Sequence, residues 1–326
     1  MLNGVCQRWA VYFGLLGKKW VVSEKSSLEI DTFPQRKILI LGGSGFVGRH
    51  LLTAWGDLAI GTHKNTAHGD TVFFDPISMD LRSIRGIDQC SHAVILYGER
   101  EPDVCFMQPE LARALNVEST KRILLQCQTL GIVPMFASTE LVFSGAKGMY
   151  GESEEPDPVL LYGKYKVEVE KFIVQNLDRF IIFRLSKIMG MQKNDRSIFA
   201  NWLTQIETSS TRKIKGAKDQ FFSLIGVSDV AKLLLLLIEG DANGIFHFSD
   251  GIRYNRLELL KLFLTEYQIV TDLAFAIEPV SINDFKLPEA RPLDVSLSNN
   301  RLMSLKAIRF TTPALHIRQL LLYVGE

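Results

Sequence analysis

Apolar and polar positions fall into short alternating blocks along most of this chain. Lys37–Leu41 reads K-I-L-I-L, an unbroken apolar run of the kind required by a parallel strand buried on both faces. Glycine-rich sequence follows at once, and Gly48–Trp55 then carries apolar residues at helical spacing. Ala59–Thr62, Thr71–Phe74 and Ala93–Tyr97 are predicted as the second, third and fourth strands. Leu111–Leu130 has helical periodicity and stops at Gly131, a residue suited to a helix C-terminus. Val133–Ala137 predicts the next strand, and a polar loop runs on to Pro158. Leu160–Leu177 predicts a helix and Phe180–Leu185 a further strand.

Strand and helix alternating in this way is the pattern of an α/β doubly wound parallel sheet. Beyond Gly190 the alternation becomes irregular. Residues 191–220 and 251–326 hold helices, prolines and loops, and are expected to form a smaller C-terminal lobe. Phe222–Val227, a helix from Asp229, and Gly244–Phe248 are candidates to return the chain to the main sheet. The expected division is therefore interleaved. Residues 35–190 with 221–250 form the sheet domain, 191–220 and 251–326 the lobe, and 1–34 an N-terminal extension.

Charge narrows the partners. Lys and Arg total 37 against 36 Asp and Glu, so no general attraction to nucleic acid or an anionic membrane is expected. The basic cluster Arg212, Lys213, Lys215 and Lys218 reads as a solvated loop. No apolar run reaches the ~18 residues of a membrane span. Cys6, Cys90, Cys105 and Cys127 form no C-x-x-C and no zinc-finger spacing, which fits reduced thiols of a cytoplasmic protein and no metal site. Residues 1–34 include the apolar stretch Trp9–Leu16 but lack the design of a signal peptide. They are read as an accessory helix or as sequence translated upstream of the functional start. A homodimer is left open.

Candidate chemistry begins at Gly42-Gly43-Ser44-Gly45-Phe46-Val47-Gly48, which contains G-x-x-G-x-x-G. Glycines alone are weak evidence, but these follow an apolar strand and open a helix. Gly42 would allow the sharp turn, Gly45 the close approach of backbone to a pyrophosphate, and Gly48 the packing of helix on strand. The N–H groups at the helix start, including Phe46 and Val47, would then meet the phosphates. The pattern predicts a Rossmann-type dinucleotide site, with Tyr97 at the end of the fourth strand also facing the cofactor. An acidic residue ending the second strand would favour NAD, but that strand ends Thr62-His63-Lys64. These three residues are candidates for the extra phosphate of NADP, so NADP(H) is preferred and NAD(H) possible. Lys64 as a plain surface residue is the alternative. Asp75 is a candidate for the adenine amino group.

Tyr162-Gly163-Lys164-Tyr165-Lys166 contains Y-x-x-x-K. On a helix, Tyr162 and Lys166 share one face. An ammonium beside a phenol favours the phenolate and brings a group of pKa ~10 nearer to working range. Upstream, Ser138-Thr139 closes a strand at the end of the sheet where ligands bind. Thr139 as carbonyl polariser, Tyr162 as proton donor and Lys166 as electrostatic tuner leave only hydride to be supplied by a cofactor.

These residues resemble a known family. Ser138-Thr139-Glu140-Leu141-Val142-Phe143-Ser144-Gly145, followed by Tyr150, Glu152, Pro156, Pro158 and Tyr162-Gly163-Lys164, is similar to the catalytic block of dTDP-4-dehydrorhamnose reductases and related extended short-chain dehydrogenase/reductases. Asn116-Val117, Phe183-Arg184-Leu185-Ser186, Asp219-Gln220 and Arg291-Pro292, then Leu297-Ser298-Asn299 and Leu302, match further family segments. The resemblance covers roughly residues 36–322. It implies NAD(P)H-dependent reduction of a 4-keto nucleotide sugar. Thr139 would hold the keto oxygen, Tyr162 would donate the proton and Lys166 would bind the ribose. Asn116 would support the site, and Glu140 and Arg291 would face substrate, Arg291 against its diphosphate. The chain departs from the family at Glu140, where Asp is usual, at Leu141, and at Tyr97-Gly98-Glu99-Arg100, where small residues are usual. Two rival readings stand beside this one. The first is an epimerase or dehydratase on the same fold, although the second acid of a dehydratase is absent from Thr139-Glu140-Leu141. The second is an NADP-binding regulatory subunit, because the regulatory subunit of methionine adenosyltransferase resembles the same family.

Overall fold

The computed structural model describes residues 36–306 and 308–322. The readings of residues 1–34, and of Cys6, lie outside the described residues. Seven strands form one parallel sheet. In chain order they are β1 (Lys37–Leu41), β2 (Ala59–His63), β3 (Val72–Phe73), β4 (Cys90–Ile95), β5 (Val133–Thr139), β6 (Ile181–Leu185) and an edge strand, Gly244–Phe248. Their spatial order is β3-β2-β1-β4-β5-β6 and then the edge strand. Chain order reverses between β1 and β4, so the ligand crevice of such a sheet lies outside their carboxyl ends.

Side chains alternate along β1, and both of its faces are buried. Leu39 and Leu41 join one core cluster with Ile123, Leu124, Val169 and Ile173. Ile38 and Ile40 point the other way and pack with Leu51, Val230, Leu233 and Leu237. The first cluster draws on α4 (Ser119–Thr129) and α5 (Leu161–Asn176), and the second on α1 (Phe46–Trp55) and the helix Val227–Glu239. α1 starts two residues earlier than its periodicity predicts, because Gly45 already serves as its N-cap.

The predicted helix Leu111–Leu130 is one continuous path with an irregular middle. It comprises α3 (Pro109–Arg113), a π-turn at Ala114–Glu118, and α4, and is preceded by α2 (Pro102–Met107). Gly131, at φ +67°, ends it in the left-handed conformation, as glycine allows without strain.

Two predicted elements change. β4 stops at Ile95 rather than Tyr97. Phe222–Val227 does not enter the main sheet. Phe221–Phe222 pairs with Tyr254–Asn255, and Leu224–Gly226 pairs with Lys187–Met189. Gly244–Phe248 does enter it, along the whole of β6. Residues after Gly190 contribute most of a third apolar cluster, built on Phe199, Trp202, Leu260, Phe263, Ile317 and Leu320. The described residues nevertheless form one compact unit. Cys90, Cys105 and Cys127 are free and buried. No helix among the described residues is long and apolar enough to cross a membrane.

Candidate active site

A cleft of about 1220 Å³ opens along the carboxyl ends of the strands. It exceeds the usual 300–1,000 Å³ of a small-molecule pocket, so a dinucleotide and a second ligand both have room. Gly42, Gly45, Phe46, Val47, Gly48, Thr62, His63, Lys64, Tyr97, Thr139, Glu140, Tyr162, Lys166 and Arg291 all line it. Asp75 does not, although its neighbours Phe74 and Pro76 do.

The glycine turn has the shape the spacing predicts. Gly42 sits at φ +91°, and a Cβ there would lie 2.9 Å from the Tyr97 backbone nitrogen. A Cβ on Gly48 would lie 2.7 Å from the Gly43 Cα, so this glycine lets the helix close onto the turn. A Cβ on Gly45 would meet only the Gly42 carbonyl, at 3.2 Å, and otherwise open space. No side chain caps α1, which leaves its first-turn N–H groups as anion donors. This cradle fits a pyrophosphate.

Thr62 takes a different place from the one expected. Its side chain is buried; its hydroxyl accepts from the Gly42 N–H at 3.1 Å and lies 3.4 Å from the Ile40 carbonyl. It buttresses the glycine turn from beneath and is not free to meet a phosphate. His63 is hydrogen-bonded to Thr71 at 3.0 Å. Lys64 pairs with Asp75 at 3.0 Å at the cleft edge, both side chains partly exposed. Burial pushes the Asp75 carboxyl up, but the Ile77 N–H and Lys64 outweigh it and hold the group below its ordinary value.

Tyr97 lies just past β4, and its hydroxyl accepts from Ser119 at 3.2 Å. Burial pushes its phenol up to about 12. The next residues are clamped by Asn116 in the π-turn, whose side chain accepts from the Glu99 N–H at 2.7 Å and donates to the Glu99 carbonyl at 2.8 Å. A Cβ on Gly98 would lie 2.8 Å from that Asn116 oxygen, so the clamp requires glycine there.

Thr139 is the last residue of β5. Its hydroxyl donates to Glu140 at 3.1 Å and accepts from the Leu141 N–H at 3.2 Å. Glu140 is buried and forms an ion pair with Lys187 at 3.3 Å. Tyr162 and Lys166 lie one turn apart on α5, with the ammonium 5.8 Å from the Tyr162 ring centre. Lys166 is buried, donates to the Ala137 carbonyl at 2.8 Å and stands 4.6 Å from the Phe136 ring centre. Burial pulls its pKa down to about 8, against the opposing pull of Glu170.

The expected lowering of the Tyr162 pKa is not what the geometry produces. Burial, reinforced by the charge of Glu140, pushes the phenol well above its ordinary range despite Arg100. Tyr162 is therefore held protonated, the form that can give a proton away.

Arg291 pairs with Asp103 at 2.5 Å. The sequence reading missed other cleft cations, notably Lys187, Arg196 and Arg256. Arg256 donates to Gln220 at 2.9 Å, and burial lowers its pKa. Gln220 was legible as part of a family match, but nothing local in the sequence joins residues 36 positions apart. Across the cleft Arg49, Lys64, Arg100, Lys166, Lys187, Arg196, Arg256 and Arg291 outnumber Glu99, Glu101 and Glu140. That balance suits an anionic ligand.

The strand order, the glycine cradle and the Tyr–Lys helix define a Rossmann-type protein of the extended short-chain dehydrogenase/reductase class. Within that class the chain belongs to the RmlD substrate binding domain family, whose model matches residues 36–321. It is similar to methionine adenosyltransferase 2 subunit beta of Xenopus tropicalis, at 26% identity over 243 residues, covering 70% of this chain and 71% of the relative. It is also similar to dTDP-4-dehydrorhamnose reductase of Salmonella typhimurium, at 25% identity over 229 residues, covering 66% and 72%. Among solved structures, the dTDP-4-dehydrorhamnose reductase of Bacillus anthracis in complex with NADP superposes with a TM-score of 0.71. It is 20% identical, and the match covers 88% of this chain and 99% of that one.

Proposed function

We propose that this protein is an NADP(H)-dependent reductase of a 4-keto nucleotide sugar. The observation that carries the reading is the meeting of Thr139, Tyr162 and Lys166 with the glycine turn around one cationic cleft. The NADP complex of the Bacillus anthracis structure supports the cofactor, and the Salmonella relative supports the substrate class.

The residues take the following roles. Gly42, Gly45, Gly48 and the N–H groups of Phe46 and Val47 hold the pyrophosphate, with Thr62 bracing the turn. Lys64 with His63 meets the adenosine end, its bond to Asp75 exchanging for the extra phosphate, and Tyr97 bounds the cleft beside them. Lys166 holds the nicotinamide ribose. When bound, the nicotinamide supplies the hydride. Tyr162, kept neutral by burial, gives its proton to the developing alkoxide oxygen. Thr139 donates to the same oxygen once its hydroxyl turns away from Glu140. Arg291 and Arg256 face the diphosphate from residues 191–220 and 251–326, the substrate lobe of this reading. The test is a panel of 4-keto nucleotide sugars with NADPH and NADH, followed at the nicotinamide absorbance band. Mass analysis of the products separates reduction, which adds two hydrogens, from dehydration and epimerisation.

A second reading is an NADP-binding subunit of a larger enzyme. It is favoured by the similarity to methionine adenosyltransferase 2 subunit beta and by the Thr139 hydroxyl, whose one hydrogen is directed at Glu140. NADPH bound at the cleft but left unoxidised by the whole panel would favour this second reading over the first.

A further inference from the structure

A buried charge network lies directly beneath the proposed reacting groups. Ser138 on β5 pairs in register with Arg184 on β6, and Arg184 with His247 on the edge strand. The three side chains form a row across the sheet, and all are buried. Glu170 of α5 closes over this row. It accepts from the Ser138 hydroxyl and receives three hydrogen bonds from Arg184, at 2.7, 3.1 and 3.2 Å. Glu170 stands four residues after Lys166, which stands four after Tyr162. All three therefore share one helical face. Consecutive β5 residues each take a contact from that face, Ala137 from Lys166 and Ser138 from Glu170.

We infer that Glu170 is a positioning residue for the Tyr162–Lys166 pair: it registers α5 on the end of β5 and supplies the carboxylate that keeps the Lys166 ammonium charged. The inference rests on the reductase reading for its consequence, but its physical basis is independent of turnover. A buried ammonium without a nearby carboxylate loses its proton readily. The other groups packed around the pair do not supply that charge. Cys105 on α2, pushed up to about 11 by burial, is a neutral thiol. His247, pulled down to about 3 by burial and by Arg184, is a neutral imidazole. Arg184 is a cation, and Ser138, Phe136 and the Ala137 carbonyl carry no net charge. Glu140, the other buried acid nearby, acts on Tyr162 and not on Lys166. Among these groups Glu170 alone opposes the effect of burial on Lys166 with a negative charge.

The test uses the full chain with lysines labelled at Cε. The Lys166 resonance is assigned by its loss in Lys166→Met and titrated in the wild type, Glu170→Gln and Glu170→Asp. The wild-type midpoint is expected near 8. Glu170→Gln is expected to lower it by about one unit or more, and Glu170→Asp, which keeps the charge, to restore it. If Glu170→Gln does not fold because Arg184 is left as an uncompensated buried cation, the double variant Glu170→Gln/Arg184→Met removes both charges and is expected to show a smaller drop in the same direction, because loss of the more distant guanidinium offsets part of it. The alkaline fall in NADPH oxidation should move to lower pH together with the midpoint. An unmoved midpoint, in whichever variant folds, overturns the inference even if the wild type turns over substrate. A shifted midpoint with no turnover in any variant supports the inference and counts against the reductase reading instead.

Discussion

A single hydroxyl hydrogen decides much at Thr139. A threonine has one O–H to donate, and here it is directed at Glu140, one of the residues at which the chain departs from the family pattern it resembles. On the proposed reductase reading, carbonyl polarisation by Thr139 requires a rotation that Glu140 opposes, and more of the work would fall to Tyr162. Tyr162→Phe is accordingly expected to cut turnover by roughly 10²–10⁴ while NADPH affinity is kept. Single-turnover kinetics beside a fluorescence binding titration check both halves, and unchanged turnover would remove Tyr162 as the donor. Gly45 allows a cleaner separation of fold from ligand. A Cβ there meets only one protein atom, at 3.2 Å, so the turn itself tolerates a side chain better than it does at Gly48. Gly45→Val is expected to leave the urea midpoint close to wild type and to abolish NADPH binding. Wild-type affinity in this variant would mean that no pyrophosphate lies on the turn.

Elements were legible where their signals are local. The apolar run of β1, the turn and α1 adjoin one another in sequence, so one window of residues specifies all three. Y-x-x-x-K was legible for the same reason, because one helical turn fixes its geometry. The path of Phe222–Val227 was not legible. A short apolar run declares burial but not its partner, and Gly244–Phe248 takes the place beside β6. The cost to Tyr162 of burial beside Glu140, the Arg256–Gln220 bond and the Glu170–Arg184 pair were hidden because each depends on residues far apart in sequence. The π-turn at Ala114–Glu118 was hidden by a helical periodicity that a single extra residue hardly disturbs. That turn carries Asn116 to the loop after β4, where it satisfies both backbone groups of Glu99. Asn116→Ala is expected to destabilise the fold by about 1–3 kcal/mol through those unpaired groups, measured by urea unfolding. It should also raise hydrogen exchange at Gly98 and Glu99. Exchange as slow as in the wild type at those two amides would show that the loop is held by other contacts.

For the molecule as a whole, the buried row beneath the cleft predicts how stability responds to acid. His247 is fully buried; with its Nδ1–H donating to the Ser298 carbonyl at 3.2 Å, its Nε2 accepts from Arg184 at 3.3 Å. Protonation would place a second N–H against that guanidinium, so burial and Arg184 pull the pKa from 6.5 down to about 3. The folded state then binds fewer protons than the unfolded chain between those values, and stability rises with pH across the window. Read in the acid direction, the contribution of His247 is complete above 6.5 and is lost as pH falls toward 3. The slope approaches ~1.4 kcal/mol per pH unit for this one group. His92, pulled down to about 4 by burial and by Arg179, adds a loss of the same sign. Carboxylates held low by their partners, such as Glu168 at about 2 beside Arg113, begin to weaken the fold as pH nears their ordinary value of 4.5 and lose most of their contribution below it. Urea unfolding of the wild type and His247→Gln at pH 7, 5.5 and 4.5 isolates His247, because the losses from carboxylates and other histidines are common to both. His247→Gln is expected to start less stable at pH 7, and to lose less than the wild type on acidification to pH 4.5. Parallel losses in the two proteins would mean that His247 already carries its proton in the folded state, and the charges of the row beneath the Tyr162–Lys166 helix would have to be redrawn.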